Sequence, residues 1–558
     1  MLRISLLAAL MHLAWTAAGG AAEATVRCRQ GAVVSVSEPA SEIGLAALRQ
    51  GGSAVDSAVA TAFALAVTYP AAGNLGGGGF LVVAGPDGNA DAYDFREVAP
   101  AAATPTMFVD PARRTPHRRV GVPGTVRGLE LAHRQHGLLA WADVVRPAVE
   151  LARSGFALDG ANAQSLNELL RTSDKQQFAE LHRVFGKPDG GSWQAGDRLV
   201  QPELAKTLAR IAAQGADGFY AGETADKIVA EMQLGAGLIT AADLRAYSAK
   251  RREPLRGSYR GYQLVTMPPP SSGGTTLIEA LNILETFDLD RDRWSVRNVH
   301  LTIEAMRRAY RDRARYLGDP DFVAIPARLT SKEYARDLAA NIDPRRATRS
   351  QDLAGDISLA PESPQTTHLS VIDRAGLAVS LTYTLESSYG SRVVVRGAGF
   401  LLNDEMNDFG WLPGVTDSSG RIGTKANLIA PHKRMLSSMC PTIVLRNDRT
   451  VLITGSPGGR TIINTVLCIV SDTIDFGMSV REAVAAPRWH HPWFPDAVRI
   501  ERQLREQRPQ LVDELEYLGH KVVEAAAQGD AHSIAIDPES GEITAAADTR
   551  ISGHAAGY

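Results

Sequence analysis

The sequence predicts an α+β protein built of packed helix and sheet layers, and three observations carry that prediction. The front of the chain interleaves helical periodicity with short alternating strand runs, whereas the last third is dominated by strand patterns flanked by mostly apolar helices. No long Pro/Gly-rich linker divides the 558 residues, and 44% of them are hydrophobic. That is material for one large core rather than a string of small ones.

In chain order, Ser41–Gln50 and Ser53–Val67 read as helices, with Gly51-Gly52 as the stop between them. The second is apolar but holds Asp56, Ser57 and Thr61, which favours a buried helix over a membrane span. Phe80–Ala84 and Ala90–Phe95 alternate as strands around the turn-forming Gly85-Pro86-Asp87-Gly88-Asn89. Residues 128–210 look mainly helical. Val296–Tyr316 reads as a long helix with Ser295 placed to cap it and Arg and Glu dispersed along its exposed side. Strand patterns run from Thr367 to Leu402 and from Thr442 to Thr454. Arg460–Phe476 reads as a buried helix, and Pro509–Leu518 as a shorter one with its proline in the first turn. Ser533–Ala547 reads as a hairpin turning at Pro538-Glu539-Ser540-Gly541.

A formal net charge of −3 with no long basic run argues against a nucleic-acid partner. Residues 1–22 have the layout of a secretory signal peptide: Arg3, an apolar Leu6–Ala18, then small residues before a cut near Ala22. The apolar stretch is shorter than the roughly 20 residues that span a bilayer. The expected location is therefore periplasmic or secreted, with no membrane attachment after signal removal. Cys28, Cys440 and Cys468 are too few for a disulfide framework and show no metal spacing; the last two lie in apolar segments as inert core residues. His490-His491, between Trp489 and Trp493, lacks a third ligand and is expected as a packed aromatic corner.

The segment Gln365-Thr366-Thr367-His368-Leu369-Ser370 carries the chemistry. It follows a loop-like run, enters an alternating strand pattern, turns at Asp373-Arg374-Ala375-Gly376 and returns through Thr384. A Thr at a strand start is ordinary β-propensity. At the junction of linker and strand, however, the Thr366 hydroxyl can attack the Gln365 carbonyl, and hydrolysis of the resulting ester frees a new α-amino group. Such an amine titrates near about 7.7–8.0, suited to act as base for its own hydroxyl. An antiparallel return would bring Thr384 beside Thr366.

Other motifs give this reading its context: Leu401-Leu402-Asn403-Asp404-Glu405-Met406-Asn407-Asp408-Phe409, Lys433-Arg434-Met435-Leu436-Ser437-Ser438-Met439 and Gly455-Ser456-Pro457-Gly458-Gly459-Arg460. Towards the front come Leu75-Gly76-Gly77-Gly78-Gly79-Phe80, Phe95-Arg96-Glu97, Gly121-Val122-Pro123-Gly124 and Pro270-Ser271-Ser272-Gly273-Gly274-Thr275. In this order, the set closely resembles the γ-glutamyltransferases (gamma-glutamyltranspeptidases) of the N-terminal-nucleophile hydrolase superfamily, over nearly the whole chain beyond the signal. The resemblance implies a four-layer α/β/β/α sandwich made from two subunits of one cleaved precursor. Residues 23–365 would form the large subunit and 366–558 the small catalytic subunit, paired as a heterodimer after cleavage at Gln365–Thr366. No metal and no organic cofactor is implied.

The resemblance also implies roles. Thr366 is the nucleophile, Thr384 the hydroxyl that orients it, and Gly458 and Gly459 the oxyanion-binding pair. The loop of the last two lacks the Lys-Ser/Thr ending of a nucleotide loop, and Leu75–Phe80 is expected as a tight packing turn. Arg96 matches a carboxylate-binding arginine, whose fork suits that partner. Ser437 and Ser438 match hydroxyls that hold the same carboxylate; Glu386, Glu405 and Asp408 match positions around an ammonium. A γ-glutamyl group carries both charges. The expected substrates are glutathione and related γ-glutamyl amides, with water or the amine of an amino acid or short peptide as acceptor. Some relatives have Asn at 386 and Gln at 405, so this pocket is the more acidic. An aromatic gate found in relatives near Ser419 is missing, with Trp411 as a substitute, and His432 stands where Gly is usual. Beside this reading stand a glutaryl-type β-lactam acylase, a poly-γ-glutamate hydrolase, and an unprocessed extracellular binding protein. The acidic trio would be uncompensated around a glutaryl group, which has no ammonium, and the intact Thr366, Thr384 and glycine pair speak against an inert protein.

Overall fold

The computed structural model describes residues 24–354, 360–361, 366–415, 420–421 and 423–558. The signal segment 1–22, Gln365 and Ser419 lie outside the described residues. Two seven-stranded sheets form the centre. One runs in the order Thr25–Cys28, Ile543–Ala547, His532–Ile536, Arg449–Thr454, Thr442–Arg446, Tyr262–Thr266, Leu255–Tyr259. The other runs His554–Gly557, Ala32–Ser35, Thr367–Ile372, Ala378–Thr384, Gly78–Ala84, Ala90–Phe95, Lys250–Arg252. All neighbours in both are antiparallel. Strands from before and after residue 365 interleave in each sheet, so neither part can form its sheet alone.

Side-chain alternation builds the layers. On one face of the second sheet, Val33, Leu81, Val83, Leu369, Val371, Val379 and Leu381 pack beneath the helices Glu38–Arg49 and Ala54–Thr68. On the other face, Val34, Phe80 and Val82 meet the first sheet through residues such as Ile443 and Ile534. Leu277 and Leu281 of the helix Gly273–Leu284 and Val466 of Thr461–Ile474 join the same core. Helix, sheet, sheet, helix is the expected sandwich. All fifteen residues of Ala54–Thr68 are buried, as suits a helix apolar on every side. Its Asp56 forms a capping box with Ser53 and also accepts from the Leu138 N–H at 2.8 Å.

The inner face beneath the Thr366 hairpin is polar and satisfied. His368 Nδ1 meets Thr382 Oγ1 at 2.8 Å, and its Nε2 meets Ser370 Oγ at 3.1 Å. Ser370 and Ser380 donate across to the carbonyls of His532 and Thr454, at 2.7 and 2.9 Å. Such pairing is what lets these groups sit in a core.

Most expected elements appear in place, including the long helix Val296–Tyr316 with the Ser295 side chain accepting from Asn298 N–H at 3.2 Å. Two expectations need correction. Strand structure does not run to Leu402: it stops at Thr384, and Glu386, Tyr389, Gly390 and Arg392 adopt positive φ that turns the backbone away. The charges on Val296–Tyr316 are also not all exposed. Glu304, Arg307 and Arg308 are buried, because Glu304 pairs with Arg307 at 3.2 Å and with Arg308 at 2.6 Å. Cys440 and Cys468 are buried, and His490 packs edge-on to Tyr310 with ring centres 5.4 Å apart, as an aromatic corner should.

Candidate active site

The hairpin register places Thr367 opposite Tyr383. One step on, Thr384 lies across from Thr366, and both are buried. Thr384 Oγ1 accepts from the Glu386 N–H at 2.9 Å, and its carbonyl accepts from Asn74 Nδ2 at 2.8 Å. Asn74 Oδ1 accepts in turn from Gly77 N–H at 3.0 Å. A Cβ on Gly77 would stand 2.0 Å from the Thr384 carbonyl oxygen. The glycine turn is therefore a packing device, as expected, and what it packs against is the second threonine.

Thr366, Thr384, Gly459 and Arg96 line one small cavity together with Glu386, Glu405, Asp408, Ser437 and Ser438. Its open space of about 20 Å³ holds about one water molecule. Met439, Arg460 and Ile462 complete the wall; the first two stand at the ends of quoted motifs and Ile462 two residues beyond one, but sequence reasoning assigned none of them a role. Gly458 stands apart. It borders a neighbouring cleft, beside Thr461 and Gln528. Its φ is +128°, and a Cβ there would meet Thr461 Oγ1 at 2.4 Å. Of the glycine pair, Gly459 borders the cavity and Gly458 the neighbouring cleft.

The charges are joined more directly than expected. The buried Arg96 guanidinium ion-pairs with both Glu405 and Asp408, and its Nε and Nη2 donate to the carbonyls of Met435 and Leu436 at 3.3 Å each. Glu97 lies 3.8 Å away. One arginine therefore answers four carboxylates, counting Glu386. Burial by itself would lower the arginine pKa, but Glu405 and Asp408 raise it, so Arg96 stays charged. Burial pushes Glu386 and Glu405 well above the ordinary carboxylate range, with Asp408 adding to the shift of both. Burial likewise lifts Glu97 to about 8, against the pull of Arg96.

This has a sign that can be measured. A carboxyl whose pKa is higher folded than unfolded holds a proton that the unfolded chain has lost, so its stabilising effect fades as pH rises. For Glu97 the window runs from 4.5 to about 8, with a slope of at most about 1.4 kcal/mol per pH unit. Glu97→Gln is expected to flatten the fall in urea-unfolding stability between pH 5 and pH 8. An unchanged slope would contradict the assignment.

Two of the sequence-based expectations at the rim fail or fall outside. Trp411 does not gate the cavity: its indole packs against Phe108 with ring centres 4.7 Å apart, in a small core with Met406, Ile429 and Met435. The segment about Ser419 is outside the described residues. His432 has a φ of +62°, the left-handed conformation that glycine takes without strain, which explains the preference for Gly there.

Among the described residues, two clusters bring three ligand-capable groups within reach of one cation: Glu386, Glu405 and Asp408, and His300, Glu304 and His520. In the first, Arg96 already supplies the positive charge. In the second, Arg307 and Arg308 neutralise Glu304, and the two imidazoles hydrogen-bond each other at 2.8 Å. Neither resembles an open metal site.

Comparison with known proteins places this geometry. The family model for gamma-glutamyltranspeptidase matches residues 40–558. A glutathione hydrolase proenzyme of Escherichia coli is 46% identical over 539 residues, covering 94% of this chain and 91% of its relative. Among solved structures, a cephalosporin acylase from Bacillus halodurans superposes with a TM-score of 0.83 at 26% identity, covering 96% of this chain and 97% of that one. The Helicobacter pylori gamma-glutamyltranspeptidase structure is 42% identical with a TM-score of 0.54, covering 56% of this chain and 92% of its own. Nearly the full length is matched, at an identity well above what fold alone requires, and the chain belongs to the gamma-glutamyltranspeptidase family.

Proposed function

We propose that the chain is a γ-glutamyltransferase and glutathione hydrolase that matures by cutting Gln365–Thr366. The observation that carries this reading is the convergence of Thr366, Thr384, Arg96, Ser437, Ser438 and the three carboxylates Glu386, Glu405 and Asp408 on one buried cavity. In the reaction, the Thr366 hydroxyl attacks the γ-carbonyl of the donor while its freed α-amine takes the proton. Thr384 Oγ1 accepts from Glu386 N–H, which fixes the hydroxyl that would orient the Thr366 oxygen across the hairpin. Amides of the Gly458-Gly459 loop stabilise the tetrahedral oxyanion, which then collapses to an ester and expels the amine. Water, or the amine of an amino acid or peptide, resolves the ester. Gly459 borders the cavity directly, which makes it the nearer donor of the pair. The donor's α-carboxylate is held by Ser437, Ser438 and Arg96, and its ammonium by Glu386, Glu405 and Asp408. Because Arg96 is paired with two of these acids, a zwitterionic ligand enters by exchanging one set of ion pairs for another.

The likeness to a cephalosporin acylase extends to fold, but a glutaryl group would leave the acids beside Arg96 without an ammonium. The γ-glutamyl reading fits the whole charge set. The H. pylori match, 56% of this chain against 92% of its own, supports two subunits of about the proposed lengths. Among the described residues no helix is long and apolar enough to cross a membrane, and the leader composition supports export to the periplasm or medium. Steady-state turnover of glutathione by the processed protein, with and without glycylglycine, tests the proposal. The expected result is glutamate release without acceptor and γ-glutamyl-glycylglycine with it. No turnover of glutathione would remove the donor assignment.

A further inference from the structure

The helix Val296–Tyr316 precedes the proposed cut, yet two of its side chains reach the site from behind. Tyr310 and Arg313 are three residues apart and so share a face. Tyr310 Oη donates to the carbonyl of Arg460, next to Gly459. Arg313 is buried, and its guanidinium is forked: Nε donates to Ser272 Oγ and Nη2 to Ser438 Oγ, each at 2.8 Å. Ser272 Oγ passes its own proton to the Ser437 carbonyl at 2.5 Å, and Ser272 N–H donates to the same carbonyl at 2.7 Å. Ser437 Oγ accepts from the Met439 N–H at 3.1 Å.

The direction of these bonds matters. A serine hydroxyl has one proton to give. Ser437 and Ser438 each accept from an N–H behind them, so each has its proton left to present forward, into the cavity they line. Proton-first hydroxyls suit an anion. Arg96, meanwhile, is engaged by Glu405 and Asp408, so much of its charge is answered before a ligand arrives. The guanidinium of Arg313 stands one hydroxyl behind the same position, through Ser438 Oγ.

We infer that Arg313 is a specificity-determining positioning residue for the donor's α-carboxylate. Its fork fixes the Ser437-Ser438 backbone through Ser272 and turns the Ser438 hydroxyl so that the proton faces the carboxylate. The inference rests on the γ-glutamyl reading above. It concerns a residue that never touches the scissile amide, so its effect falls on recognition and not on the chemical step. A lysine keeps the charge but, as a single ammonium on a flexible stem, does not reproduce a planar fork to two serines.

The test compares two donors on processed protein: L-γ-glutamyl-p-nitroanilide and 4-aminobutyryl-p-nitroanilide, the same amide without the α-carboxylate. Arg313→Met is expected to raise KM for the first at least about tenfold while kcat changes less than about threefold. The ratio of kcat/KM between the two donors should fall by a similar factor. Ser438→Ala should do the same, and the double variant should lose no more than Ser438→Ala alone. Equal losses on both donors, an unchanged ratio, or additive losses in the double variant would each overturn the inference. Should Arg313→Met fail to mature, Arg313→Lys is read in the same assay and must also lose discrimination. A wild-type ratio in that variant, or failure of both variants to mature, would leave Arg313 a residue of folding alone. Wild-type protein inactive on L-γ-glutamyl-p-nitroanilide would instead overturn the donor assignment, and this inference with it.

Discussion

Thr366→Ala is expected to accumulate as a single uncut chain, with γ-glutamyl turnover lowered by at least about 10⁴-fold. The size of the loss follows from one oxygen serving twice. In the precursor the Thr366 hydroxyl would attack the preceding carbonyl; in the mature protein the same hydroxyl attacks the donor, aided by the amine that the first attack released. Alanine removes both events, and no neighbouring hydroxyl can replace them, because Thr384 has no terminal amine. Thr366→Ser keeps the hydroxyl and should still mature, more slowly. Thr384→Ala keeps the nucleophile and its amine, so it should lose activity without losing it all. Denaturing electrophoresis reads maturation, and release of p-nitroaniline reads turnover. Residual turnover in Thr366→Ala near the wild-type level would take the nucleophile role away from Thr366.

Arg96→Met is expected to be the most destabilising single change in the pocket, at about 3–5 kcal/mol, because it strands buried carboxylates without their cation. Glu386, Glu405 and Asp408 would then face one another across a cavity with room for about one water, with Glu97 buried beside them. They can relieve the repulsion by taking up protons, so the loss should be larger at pH 8 than at pH 5. Urea denaturation at both values measures it. Adding Glu405→Gln to Arg96→Met should recover part of the stability, since it removes a charge that the methionine cannot answer, but it should not recover turnover. A fully stable Arg96→Met would mean that the ion pairs to Glu405 and Asp408 contribute nothing to holding the pocket.

Much of the architecture was legible because local signals were strong. The helix Val296–Tyr316 was found to the residue, since its period is sustained and Ser295 marks its start. The paired strands around Thr366 were found from alternation and the Asp373–Gly376 turn. What local pattern could not give was burial of charge. Glu304, Arg307 and Arg308 read as the solvent face of a helix until their mutual pairing is known, and Arg313 reads the same way until Ser272 and Ser438 are beside it. The strand expected to run on to Leu402 ends at Thr384, because positive φ at Glu386, Tyr389, Gly390 and Arg392 turns the chain. At the site, the residue identities came through the ordered motifs, but their connections did not. That Arg96 is bound to the acids expected to hold an ammonium depends on side chains meeting across more than three hundred positions of sequence. Trp411 could stand for a gate in sequence only because its partner Phe108 is so distant in the chain.

The whole scheme turns on a backbone amide being exchanged for a free amine at Thr366. Mass spectrometry and N-terminal sequencing of catalytically active material test that directly. The expected finding is two chains in equal amounts, the smaller beginning Thr366-Thr367-His368 and ending at Tyr558. Active protein consisting solely of uncut chain, or cut at another bond, would contradict it.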